Sequence, residues 1–293
     1  MTYHRKCDIT SRQLRAARGA AFVAVAVGAS AWMTVPAHAA GIGPEIAYST
    51  WGIRPAVYVV NPDGSGRRLL YTGARNTRIG SVDMKPGGGE VSFYETTGNT
   101  LNAPGELKTV QYAATGRAGT VSRSVPGCRY SVDYHPSDGS LLIVSCDRQL
   151  QRLAASGWSP TNVAVSAQVS RARWLSGGTE FIYSAGGKLW RTAFATPETA
   201  EEVMVSNHDF FATAHTSSLT LGTTSTRIDL IDVDGKSVTT GIETGECPHF
   251  SPNDSTFVYM ANFGKQLMIR PTSGGQSTPI SVKANFSSVD WRN

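Results

Sequence analysis

The chain has only four cysteines in 293 residues, 17% charged residues and no segment of sustained 3.6-residue hydrophobic periodicity. So few cysteines exclude a disulfide-built miniature scaffold. Without helical periodicity, bundles and coiled coils are excluded as well. Beyond the N-terminal region, no apolar run approaches the roughly twenty residues of a membrane-spanning helix. Common catalytic signatures are also missing: there is no Gly-x-Ser-x-Gly elbow, no His-Glu-x-x-His and no P-loop. What the chain has in quantity is glycine, 30 residues, and short runs rich in β-branched and aromatic side chains. That combination reads as many short strands joined by tight turns.

The first 39 residues read as a leader. Arg5, Lys6, Arg12, Arg15 and Arg18 form a basic region, Ala20 to Val35 an apolar one, and Ala37-His38-Ala39 the small-x-small pattern of a cleavage site. Cleavage is expected after Ala39, leaving residues 40–293 as one exported domain, periplasmic or secreted, with no stable membrane span. An uncleaved N-terminal anchor is the alternative. Removing the leader takes away five of the 27 basic residues and one of the 22 acidic ones, so the net charge falls to +1. No basic stripe remains, which argues against a nucleic-acid partner. Cys128 and Cys146 stand nine residues either side of Ser137 in the turn Pro136-Ser137-Asp138-Gly139. In an antiparallel hairpin that symmetry brings them within disulfide reach, and an oxidising compartment favours the bond. Two buried free thiols are the alternative. Cys247 is left as a small buried hydrophobe.

The organising feature is a repeat. Ser81-Val82-Asp83-Met84 returns as Ser131-Val132-Asp133-Tyr134 and as Ser288-Val289-Asp290-Trp291. Each copy sits in a unit of roughly forty residues, the period of a propeller blade. The unit has an inner strand ending in a large apolar residue, then a turn such as Lys85-Pro86-Gly87-Gly88 or Ser251-Pro252-Asn253-Asp254. A second strand follows, as in Phe181-Ile182-Tyr183 or Phe257-Val258-Tyr259, and then a mixed third and a polar fourth. Inner-strand ends are placed at Met84, Tyr134, Trp174, His215, Phe250 and Trp291, which predicts an all-β, six-bladed β-propeller of four-stranded antiparallel blades. After Trp291 the second to fourth strands of the last blade are missing. They are found near the other end, in Glu45–Tyr48, Ala56–Val60 and Arg67–Tyr71. The last blade is therefore expected to be closed by both ends of the chain, which removes two exposed sheet edges.

The segment Ala56-Val57-Tyr58-Val59-Val60-Asn61-Pro62-Asp63-Gly64-Ser65-Gly66-Arg67-Arg68-Leu69, with the Val-Asp-Trp and Ser-Pro-Asn-Asp fragments, resembles the TolB-type propeller repeat, a branch of the WD-like repeats. The resemblance covers essentially all of residues 40–293. It implies a six-bladed propeller, residence in the cell envelope and contact with a partner. The additional N-terminal α/β domain of TolB has no room here, since strands are expected about five residues after the cleavage site.

Aligned on the inner strands, Asp83, Asp133, Arg173, His249 and Asp290 share one position. Three acids from neighbouring blades suit a hard cation such as calcium. They suit better a set of carboxylates that bond the backbone of the next blade, with Arg173 offsetting their charge. No other cofactor is expected. Arg78, Arg129 and Arg171 precede inner strands and are expected around one channel mouth. There they can bind a carboxylate or phosphate, or simply be solvated. The long Thr96–Gly105 connection is a second contact surface. The expectation is a non-enzymatic module that binds a protein, peptide or cell-envelope ligand. The alternatives are a polysaccharide lyase or hydrolase with its active site in the channel, and a metal-stabilised structural domain.

Overall fold

The repeated Ser-Val-Asp phrases are inner strands, and the turn after each is built the same way. Just past the strand end, one N–H bonds the carbonyl five residues further on. The pairs are Lys85 to Glu90, His135 to Ser140, Leu175 to Glu180, Ala214 to Leu219 and Ser251 to Thr256, all at 2.8–2.9 Å. Pro, Gly, Asn and Asp supply the dihedrals these turns need. The same bond corrects one expectation: in blade four the inner strand ends at Thr213, two residues before His215. Thr213 is neither large nor apolar, so the pattern that marks the other blades fails there.

The computed structural model describes residues 44–98, 103–113, 119–127, 129–208, 210–224 and 227–292, with the backbone alone at 129 and 130. The leader thus lies outside the described residues. Six four-stranded antiparallel sheets form a ring. Blade one runs from Thr77–Met84 to Thr120–Pro126, and blade two from Arg129–Tyr134 to Pro160–Asn162. Blade three runs from Arg171–Trp174 to Glu201–Val205, and blade four from Phe210–Thr213 to Ser237–Thr244. Blade five runs from Glu246–Phe250 to Thr278–Pro279. In blade six the inner strand Phe286–Arg292 pairs with Glu45–Thr50, with Ile46 opposite Trp291 and Tyr48 opposite Val289. Ala56–Val60 and Arg68–Thr72 complete it. The ends of the chain therefore close the ring as expected.

Burial explains the strand compositions. All five residues of Leu141–Ser145, a second strand, are buried, whereas the fourth strand Thr120–Pro126 is almost wholly exposed. The core lies between blades. Val57 and Val59 of blade six pack with Val82, Met84 and Phe93 of blade one, and Leu142 and Val144 of blade two pack with Trp174 and Phe181 of blade three. Each such side chain, fully buried, contributes about 1.5–3 kcal/mol. Gly64 turns the chain between the third and fourth strands of blade six at φ +85°. A Cβ there would come within 3.0 Å of the Ser281 backbone N in the neighbouring blade. No helix among the described residues is long and apolar enough to cross a membrane.

Candidate functional site

The residue before each inner-strand end faces the centre of the ring: Asp83, Asp133, Arg173, Ala212, His249 and Asp290 in chain order, all buried. The three aspartates act alike. Each uses Oδ2 to accept the backbone N–H at the inner-strand end of the next blade: Asp290 from Met84 at 2.7 Å, Asp83 from Tyr134 at 2.6 Å, and Asp133 from Trp174 at 2.6 Å. An N–H left unbonded there would be costly, so each carboxylate both fills a backbone need and locks two blades in register. Arg173 continues the series by donating to the carbonyls of Val132 on one side and Phe211 on the other. In blade four, where Ala212 has no polar group, the Thr213 hydroxyl bonds Trp174 O at 2.7 Å instead.

One functional residue escaped the sequence. Arg292 stands one position past Trp291, and its Nη2 donates to Asp133 Oδ1 at 2.6 Å and lies 3.5 Å from Asp83 Oδ1. Its Nη1 bonds Tyr134 O, and its Nε lies 3.6 Å from Asp290 Oδ2. The corresponding residues in the other blades are Lys85, His135, Leu175, Ala214 and Ser251, so no repeat marks the position. The signal that could have found it is charge: three buried acids need more than Arg173 alone.

Burial is the largest influence on Asp83, Asp290 and His249. It pushes Asp83 well above the ordinary carboxylate range, and the neighbouring Asp290 and Asp133 add to the rise against the opposing Arg292 and Arg173. Its Oδ1 makes no hydrogen bond within the fold and lies 3.5 Å from Arg292 Nη2 and 3.8 Å from Arg173 Nη1. Asp290 moves the other way. Although burial opposes ionisation, His249, Arg292 and the Met84 N–H hold its pKa low. Burial, helped by Arg173 and Arg292, lowers the His249 pKa below the ordinary imidazole value against the opposing Asp290. His249 Nδ1 lies 2.6 Å from Asp290 Oδ1. Two guanidiniums thus face three carboxyl groups. Among the described residues no group of three or more His, Cys, Asp or Glu side chains is arranged to hold a metal ion.

Directly beyond this cluster, at the mouth where the inner strands end, lies a cavity of about 270 Å³. All six blades line it, through Pro86, Tyr134, Trp174, Ala214, Pro252 and Arg292 among others. Its described lining carries no carboxylate. Two donors of lining residues, Trp174 Nε1 and Arg292 Nε, are buried without a hydrogen-bond partner. The Trp174 ring is steadied edge-on by His135, whose Nε2 lies 2.9 Å from Gly178 O.

Arg78 and Arg171 do not reach this cavity. They stand at the opposite ends of their inner strands, Arg171 with its guanidinium 5.0 Å from the Phe210 ring. The Arg129 side chain lies outside the described residues, as do Cys128 and part of the Thr96–Gly105 connection. Cys247 is buried in the core between blades five and six, as expected of it, and neither it nor Cys146 is a free thiol. On the same side as Arg171, His208 bridges Ser206 Oγ at 2.8 Å and Asp229 at 3.0 Å, and Arg227 holds Asp229 from two directions. The His208 ring lies against Gly222, where a Cβ would meet it at 2.4 Å. Ser206 is 8% exposed and its oxygen already accepts the His208 N–H, so the chain serves to pin the connection between blades three and four.

No family model matches the sequence, and no curated protein matches it. Among solved structures, TolB from Acinetobacter baumannii is similar at 18% identity and a TM-score of 0.68, covering 86% of this chain and 67% of that one. A functionally unknown protein from Desulfotomaculum acetoxidans DSM 771 follows at 9% identity and 0.56, covering 86% and 90%. The Cps50 (Swd1) β-propeller domain of Myceliophteria thermophila gives 12% and 0.54, covering 83% and 88%. At these identities the likeness is one of fold: a TolB-like, six-bladed propeller.

Proposed function

We propose that the protein is an exported, non-enzymatic binding module that takes a protein or peptide ligand at the mouth where its inner strands end. The observation that carries this is the cavity over the channel, lined from six different blades, with the Trp174 indole N–H a buried donor without a hydrogen-bond partner. A carbonyl or carboxylate of a ligand segment would pair with Trp174 Nε1, while Pro86, Pro252 and Ala214 offer it apolar surface. Concave, mostly apolar surface with a few oriented polar groups is what ligand sites share. Polysaccharide hydrolysis calls for a pair of convergent carboxyl groups, which the described lining does not provide. Fold likeness to TolB is compatible with partner binding and does not identify the partner.

The leader supports export, with cleavage after Ala39, into the periplasm or the medium. A Cys128–Cys146 disulfide belongs to the same proposal, because such a bond persists only in an oxidising compartment. Capture from cell-envelope extract tests the binding claim when wild type is compared with Ser176→Trp, which fills the mouth. Partners retained by wild type and lost by the variant support it. Equal retention by both would place binding elsewhere.

A further inference from the structure

The face opposite the cavity carries a different kind of surface. Trp51, Ile53 and Phe263 are 44%, 74% and 74% exposed. They sit in two loops of neighbouring blades, and backbone bonds draw both loops onto one segment: Trp51 N–H donates to Asn285 O, and Phe286 N–H to Gly264 O. Ile53 is fixed in turn by the Asn76 N–H on its carbonyl at 3.1 Å. The three side chains are thus held out together on a braced rim. Phe263 stands at φ +56° after Asn262 at +53°. Left-handed backbone is unusual for a bulky residue and points to a role when it is found at an exposed tip.

Bases outnumber acids on this rim, and Glu246, half-buried at the start of the blade-five inner strand, is an acid on the same face. Residues 50–55, 73–78, 261–266 and 281–286 contain Arg54, Arg75, Arg78, Lys265 and Lys283 and no acid. Arg54, Arg75, Lys265 and Lys283 are exposed. Glu95 reaches the rim from blade one, but it is buried and already paired with Lys108 at 2.6 Å. Exposed aromatic and aliphatic side chains ringed by bases are the composition of surfaces that enter an anionic lipid interface: the apolar groups insert and the cations meet phosphate. A neutral or basic partner would not call for four exposed bases gathered around three exposed apolar side chains.

We propose that this rim docks the protein on a bilayer containing anionic phospholipid, with Trp51, Ile53 and Phe263 inserted and Arg54, Arg75, Lys265 and Lys283 against the headgroups. The cavity mouth, at the other end of the channel, then faces away from the membrane and stays open to a ligand.

Co-sedimentation of the purified protein with vesicles tests this. Binding is expected to phosphatidylcholine vesicles containing phosphatidylglycerol, and not to phosphatidylcholine alone, and it should weaken as salt is raised. Arg54→Glu with Lys265→Glu should reduce affinity for the anionic vesicles by about tenfold or more. Trp51→Ser with Phe263→Ser should do the same and leave less salt-sensitive residual binding, with the melting temperature unchanged because both residues are exposed. Absence of binding to phosphatidylglycerol vesicles, or unchanged binding in both double variants, overturns the proposal. Retention of acidic polymers with no retention of vesicles also overturns it. Ser176→Trp should leave vesicle binding intact, which separates this surface from the cavity mouth.

Discussion

Arg292 of blade six reaches across blade one to Asp133 of blade two, Nη2 to Oδ1 at 2.6 Å. Its strand also makes the junction between the two ends of the chain. The same guanidinium therefore joins ring closure to the buried charge cluster and to the cavity above it. Removing it strands two or three buried carboxyl groups. Arg292→Met is expected to lower stability by about 3–5 kcal/mol, the cost of breaking a buried pair from one side. Urea unfolding followed by tryptophan fluorescence would measure it.

The three repeated aspartates are not equivalent. Burial raises the Asp83 pKa, so Asp83→Asn keeps an acceptor for the Tyr134 N–H and removes a charge that the site disfavours. Asp290 is ionised and accepts from both His249 and Met84. Asp83→Asn should cost about 1 kcal/mol or less and Asp290→Asn about 2–3 kcal/mol, in line with neutral and charge-assisted hydrogen bonds. Equal losses in chemical unfolding would refute the opposite directions of the two shifts.

The two buried histidines should draw stability down on mild acidification, while Asp83, whose raised pKa works in the opposite sense, offsets part of the loss. His249 and His215 both have folded pKa values below 6.5, chiefly through burial. Their contribution is complete above 6.5. As the pH drops through that value the unfolded chain takes up protons that the fold refuses, so the folded state loses ground. Each histidine adds a slope of at most about 1.4 kcal/mol per pH unit. Unfolding free energies at several pH values should show this loss, and His249→Asn should make the slope shallower.

Millimolar calcium should leave the melting temperature unchanged. The Oδ2 atoms of Asp83, Asp133 and Asp290 are taken by backbone N–H groups, and Arg173 and Arg292 occupy the space between the carboxyls. A calcium-dependent rise would show that the cation can displace the arginines.

Gly222→Ala should destabilise blade four by about 1–3 kcal/mol, because the new methyl group meets the His208 ring. In a His208→Ala background the same change should cost much less. A thermal-unfolding double-mutant cycle reads the difference directly.

Much of the fold could be read from the residues because propeller blades repeat both burial and turn chemistry. The Ser-Val-Asp phrases, the Pro/Gly/Asp turns and the incomplete last unit led to six blades and to closure by both chain ends. Blade four was the exception: its strand end is Thr213, and its central position is Ala212, so neither bulk nor charge signals them. The candidate site was less readable. Asp83, Asp133, Arg173, His249 and Asp290 were brought together by their shared register. Arg292 was not, since its position has no repeated residue type. Arg78 and Arg171 were grouped by loop position, which says nothing about which mouth bears a cavity. That depends on how six turns converge in space, and spacing along the chain does not encode it.

The binding claim rests most directly on the Trp174 indole N–H, a buried donor at the cavity without a partner. Its proton–nitrogen resonance, assigned with Trp174→Phe, can be followed while a captured partner is titrated in. The account predicts a downfield shift of the Trp174 signal as the donor gains an acceptor, with the exposed Trp51 indole on the opposite face unmoved. A partner that binds while the Trp174 resonance stays in place would contradict it.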